Sequence, residues 1–172
     1  MINAQSLVTI RHGIVAGVTG GLAEVVWVTL YAEATGGNVA ILARGVTTAA
    51  GVSALLPAFP VVLGVAVHMA LAMMLGVALA FSWRAFTTNR GGSASPYPFM
   101  LAALAGVWAI NFFVVLPFIS RGFIHLVPYA VSLASKLLFG LAAAEAFRRQ
   151  SGATLSARAP SNVQYVLGRG AH

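Results

Sequence analysis

Four stretches of this chain are apolar over about twenty residues each or a little more: His12–Ala32, Pro60–Trp83, Pro98–Ile119 and Leu126–Phe147. A hydrocarbon layer ~30 Å thick is crossed by about 20 helical residues rising ~1.5 Å each. Inside that layer each backbone N–H and C=O has to find its partner within the protein, and for runs of this kind the helix provides it. The composition agrees: 59% of residues are hydrophobic and 8% charged, against about a quarter charged in a soluble domain. The expected fold is all-α, a polytopic membrane protein with a bundle of four transmembrane helices as one domain over residues 1–149.

Charge sets the expected orientation. Arg11, Arg84, Arg90, Arg148, Arg149, Arg158 and Arg169 fall on one side of the four spans, and Arg44 and Arg121 on the other. Basic residues accumulate in cytoplasmic loops, so both termini are expected inside the cell, in a multi-pass protein of the bacterial inner membrane. The net charge of +7 would suggest nucleic acid in a soluble protein. Here the arginines flank apolar runs, where topology accounts for them, and no nucleic-acid partner is expected. A signal-peptide reading of the first run, with "AEA" at 32–34 as the cleavage site, is opposed by the length of the run and by Glu24.

The connectors differ in character. In "NVAILARGVTTAAGVSALLPAFP", Arg44, Thr47, Thr48 and Gly51 recur at helical spacing and gather a weakly polar stripe. An amphipathic interfacial helix over about 38–56 is the expectation, with a re-entrant hairpin as the alternative. "TTNRGGSASPYP" reads as a polar connector and "SRGFIH" as a tight turn. Residues 150–172 read as a flexible cytoplasmic tail, in which "VQYVL" is a conceivable docking peptide.

Only three acidic residues occur, Glu24, Glu33 and Glu145, and one of them lies inside a span. Depth counted at ~1.5 Å per residue from the arginine-rich end places Glu24 at roughly 18 Å, Lys136 at roughly 16 Å, Asn111 at roughly 20 Å and His68 at roughly 22 Å. The four strongly polar side chains thus share one level near mid-membrane, each on a different span. Glu24 continues the stripe Gly13-x3-Gly17-x3-Gly21. His68 lies on Gly64-x3-His68-x3-Ala72-x3-Gly76, and Lys136 on Ser132-x3-Lys136-x3-Gly140. Small residues at this spacing mark close helix–helix faces in lipid, so three of the polar groups should face neighbouring helices; the direction of Asn111 is less defined. An unpaired charge at the bilayer centre costs on the order of 3 kcal/mol or more. A buried Glu24–Lys136 ion pair is therefore expected, with His68 and Asn111 supplying hydrogen bonds. It serves either helix register or a proton or ion site. Pro60 and Pro128 each precede the polar residue of their span, His68 and Lys136, by eight positions, and Glu24 and Asn111 occupy comparable depths, the trace of a parallel repeat.

Several chemistries lack their residues. There is no cysteine and no Asp, and no nucleophile elbow, phosphate loop, dinucleotide fingerprint or zinc-helix motif. No metal site and no cofactor are expected. A b-type haem is the one alternative, with His68 and His125 as candidate axial ligands, although His125 lies ~12 Å nearer the outer end by helical rise.

"GLAEVVWVTL" resembles the first helix of the small multidrug exporters in Leu22, Ala23, Glu24, Val25, Thr29 and Leu30; in that family the carboxylate binds protons and cationic drugs in turn. The chain departs from the pattern in its greater length and in Lys136, which would occupy that carboxylate. "WAINFFVVLPFISRGFIHLVPYAVSLASKLLFGLAAAEAFRR" resembles the second half of four-span bacterial inner-membrane proteins of the YagU-like group, a likeness that implies location and no activity. The functional expectation is a non-enzymatic integral membrane protein: an accessory, assembly or structural subunit packing with other membrane subunits or with copies of itself. The alternative is a small proton- or ion-coupled transporter using Glu24.

Overall fold

The computed structural model describes residues 3–55, 58–90, 94–119 and 127–158, and every regular element among them is a helix. In chain order these are α1 (Ala4–Ala34), α2 (Val39–Ala49), α3 (Pro60–Arg90), α4 (Pro96–Ile119) and α5 (Tyr129–Arg158). Helices α1, α3, α4 and α5 are each long and apolar enough to cross a membrane. The chain is a multi-pass integral membrane protein.

Local chemistry sets the helix ends. Asn3 caps α1 by accepting from the Ser6 backbone N–H at 2.8 Å, and Asn38 caps α2 by accepting from Ala40 N–H at 2.8 Å; both occupy donors that a first helical turn leaves unpaired. At the far end of α1, Gly36 adopts φ +68° while the Gly37 N–H returns to the Ala32 carbonyl at 2.7 Å. Gly51, at φ +71°, closes α2 the same way, with Val52 N–H on the Thr47 carbonyl at 2.9 Å. Glycine suits this left-handed position because it has no Cβ to clash.

Successive spans run antiparallel. Gly13 of α1 faces Val77 of α3, Trp27 of α1 reaches Val131 of α5, and Tyr97 of α4 reaches Glu145 of α5. The N-terminal part of α1, the C-terminal parts of α3 and α5, and the start of α4 therefore lie at one end, called here the Arg84 end. Helix α1 is central, flanked by α3 and α5, while α4 packs mainly on α5. Helices α3 and α4 meet at the Arg84 end, where Phe99 packs against Trp83 and Phe86 at centroid distances of 5.3 and 5.0 Å.

Helices in lipid gain little from hydrophobic burial and associate through close packing. Helix α1 buries Thr9, Gly13, Ala16, Gly17, Gly20, Gly21 and Glu24 on one stripe. A Cβ on Gly13 would stand 2.5 Å from the Val77 Cα, one on Gly76 2.6 Å from the Gly17 Cα, and one on Gly17 2.7 Å from the Met73 Cα. Backbone therefore lies on backbone across α1–α3. Gly20 performs a different service: its face receives the ring of Phe139, which is fully buried with Met100 and Leu104. Gly64 admits Ala43 of α2, and Gly140 lies against Met100 and Leu101 of α4 more loosely.

The connector helix and the end of α5 differ from the sequence expectation, and α4 carries a further local feature. The helix between the first two spans is 11 residues long, Val39–Ala49, and buries Ala43 and Thr47 against α3. Thr47 is 2% exposed although it belongs to the expected polar stripe; its hydroxyl donates to the Arg44 carbonyl at 3.0 Å and so needs no other partner. Helix α5 continues to Arg158, into the segment read as a tail. Helix α4 widens into a π-helical turn at Asn111–Val115, with the Leu116 N–H on the Asn111 carbonyl. Pro117 follows at once; it has no N–H to offer the preceding turn, and its ring crowds the carbonyl four residues back. Leu56, "SRGFIH" with Arg121 and His125, Leu126, and "VQYVL" with Arg169 lie outside the described residues.

Candidate functional site

The three stripes bring Glu24, Lys136 and His68 together. Glu24 stands where the glycine stripe of α1 ends, so its carboxylate enters the space between α3 and α5, and it is 3% exposed. Lys136 Nζ lies 2.6 Å from Oε1 and 2.9 Å from Oε2, gripping both oxygens. The Ser135 hydroxyl donates to Oε1 at 3.1 Å. On the α3 side, His68 Nε2 lies 3.6 Å from Oε2 and 3.3 Å from the Gly21 carbonyl. A proton on Nε2 would make the carbonyl contact a hydrogen bond, and would leave Glu24 a looser electrostatic neighbour.

Burial explains why this arrangement holds. Glu24 is shielded from the outside, so attraction to Lys136 is screened far less than at a surface, and each carboxylate oxygen has a donor. The ammonium also lies 5.9 Å from the centre of the Phe139 ring, within cation–π range. Lys136 and His68 each retain about a fifth to a quarter of their side-chain exposure, 21% and 25%. The cluster thus touches the outside of the chain through its two nitrogen-bearing members and never through the carboxylate.

Asn111 is not brought to this site. Trp108 Nε1 donates to the Ser132 hydroxyl at 3.0 Å, and the Phe112 ring lies 5.8 Å from that of Tyr129. Asn111 is therefore level with the start of α5, seven residues from Lys136 and roughly 10 Å away along the axis. Counting depth from the proline at the start of the third span misplaces it because the spans are not level at their ends. With Asn111 displaced, the suggested repeat loses one of its two polar correspondences.

The chain matches no protein-family model, no curated protein and no solved structure.

Two features of the site escape a reading of polar residues alone. Ser135 completes the carboxylate's shell; its signal is its place beside Lys136, one turn from Ser132. Trp27, one turn beyond Glu24, donates from Nε1 to the Val131 carbonyl at 3.1 Å and ties α1 to α5. A second ionic cluster lies at the Arg84 end. Glu145 receives Arg148 at 2.7 and 2.8 Å, Arg149 at 2.7 Å and the Tyr97 hydroxyl at 2.5 Å. Its helical spacing of three and four residues was available in "EAFRR"; the tyrosine from α4 was not.

For the haem alternative, His68 Nε2 is already engaged by Gly21 and Glu24, and His125 lies outside the described residues. Among the described residues, no group of three or more His, Cys, Asp or Glu side chains is placed to hold a metal ion.

Proposed function

We propose that this protein is a non-enzymatic subunit of the bacterial inner membrane, with both termini in the cytoplasm, that works by helix packing in a larger membrane assembly or with copies of itself. Support comes from one observation above all. The Glu24 carboxylate is buried and its two oxygens are taken up by Lys136 and Ser135, the chemistry of a buried pair that fixes helix register. The α4 flank adds to this: Phe113, Phe118 and Ile119 are 62%, 87% and 61% exposed on the isolated chain, apolar area available to lipid or to a neighbouring helix. The arginine-rich Arg84 end supports the orientation.

The test is extraction of the tagged full-length chain in mild detergent, followed by native electrophoresis. Migration in a larger complex, or as a homo-oligomer, is expected, and it should persist in the Glu24→Gln/Lys136→Met double variant. A lone monomer at all protein-to-detergent ratios would overturn the proposal.

His68 favours a second reading, a small proton- or ion-coupled transporter. It stands 3.6 Å from Glu24 and is a quarter exposed, so a titratable ring connects the carboxylate with the outside. That reading requires substrate-induced proton movement in proteoliposomes, lost in Glu24→Gln.

A further inference from the structure

At the Arg84 end, α1, α3 and α5 enclose an open-mouthed cavity of about 190 Å³. Thr9 and His12 enter it from α1, Trp83, Arg84 and Thr87 from α3, and Phe147 from α5. The balance of donors and acceptors there is one-sided. Thr87 turns its hydroxyl onto the Trp83 and Arg84 carbonyls of its own helix, at 3.1 and 3.0 Å. Thr9 likewise donates to the Gln5 carbonyl at 2.9 Å, which leaves its oxygen to accept from Arg84 Nη1 at 3.3 Å.

That is the guanidinium's one hydrogen bond among the described residues, and no described carboxylate lies within 4 Å of it. A guanidinium carries five N–H donors, so most of those on Arg84 have no acceptor among the described residues, and Arg84 lines the cavity together with His12. Elsewhere among the described residues two carboxylates hold cations: Glu24 meets Lys136, and Glu145 meets the exposed Arg148 and Arg149. Arg84 has a helper that orients it, Thr9, and no counter-charge among the described residues. Trp83 and Phe147 supply an apolar floor, and tryptophan is characteristic of the headgroup level, which is where the end of a span should lie.

We infer that this cavity binds a phosphate anion of the kind a lipid headgroup presents, with Arg84 as its fork-shaped donor and Thr9 as the residue that aims it. Arginine suits a phosphate because its parallel N–H groups match two oxygens at once. The site is independent of the Glu24 cluster and of the role proposed for the protein.

Native mass spectrometry of the full-length protein in mild detergent tests this with three probes: phosphatidylglycerol, the phosphate-free lipid diacylglycerol and inorganic phosphate. The wild type should bind phosphatidylglycerol about tenfold more tightly than diacylglycerol, the scale of one charge-assisted contact. Arg84→Gln should abolish that preference, Arg84→Lys retain part of it, and Arg149→Gln leave it unchanged. If inorganic phosphate binds and displaces the lipid in an Arg84-dependent way, the same site takes soluble phosphate. A wild type that neither prefers phosphatidylglycerol nor binds phosphate overturns the inference without any variant, as does a folded Arg84→Gln with unchanged preference.

Discussion

Lys136 holds both oxygens of Glu24, at 2.6 and 2.9 Å, across the contact between the central helix α1 and its neighbour α5. The pair joins elements 112 residues apart in sequence, so it acts on how the spans assemble and hardly at all on whether each forms. With His68 of α3 beside the same carboxylate, the cluster draws on three helices, α1, α3 and α5.

Removing one member of such a pair leaves the other charged and buried, at a cost of ~3–5 kcal/mol, whereas removing both is often close to neutral. Lys136→Met should therefore lose ~3–5 kcal/mol of stability in detergent, and the double variant Glu24→Gln/Lys136→Met should recover most of that loss. Unfolding curves of wild type, both single variants and the double variant measure the coupling. Losses that simply add would sink the pairing.

That pair and the helix faces it joins were legible in the sequence because charge in an apolar span is costly and small residues at four-residue spacing mark contacts. The four spans were legible for a simpler reason: length and hydropathy alone define them. Asn111 was misplaced because depth counting assumes level helix ends, and the alignment of α4 with α5 is set by Trp108–Ser132 and the Tyr129 rings. Thr47 was read as polar although its hydroxyl is satisfied within α2. The Phe139–Gly20 contact was hidden because a phenylalanine in an apolar span carries no mark of which neighbour it meets.

Glycines along the bundle should differ sharply in tolerance. A Cβ at Gly76 would press into the Gly13 and Gly17 backbone, and backbone cannot move aside cheaply; one at Gly106 meets nothing within 4 Å. Gly76→Ala should lower the melting temperature and weaken the α1–α3 contact. Gly106→Ala should be neutral or stabilise by ~0.5–1 kcal/mol through helix propensity. Equal melting temperatures for the two variants in the same detergent would contradict the packing.

The two carboxylate clusters should respond unequally to neutralisation. Glu145 binds two arginines that are 60% and 77% exposed, and pairs of that kind contribute little because water and salt screen them. Glu145→Gln should shift the melting temperature much less than Glu24→Gln. Raising the salt concentration should narrow the contribution of Glu145 further while leaving that of Glu24 nearly constant. A larger loss from Glu145→Gln would place the structural centre of gravity at the Arg84 end.

Orientation can be read directly because the native chain contains no cysteine, so any introduced thiol is the only one present. Ser53 lies exposed between α2 and α3, and Thr88 is exposed near the end of α3, on opposite sides of a 31-residue helix. Arginine distribution predicts that the Thr88 side faces the cytoplasm. In intact cells, a membrane-impermeant maleimide should label Ser53→Cys and spare Thr88→Cys; after permeabilisation both should react. The reverse pattern would invert the topology and leave the helix packing untouched, because Gly13, Gly17 and Gly76 meet within the bundle whichever end faces the cytoplasm.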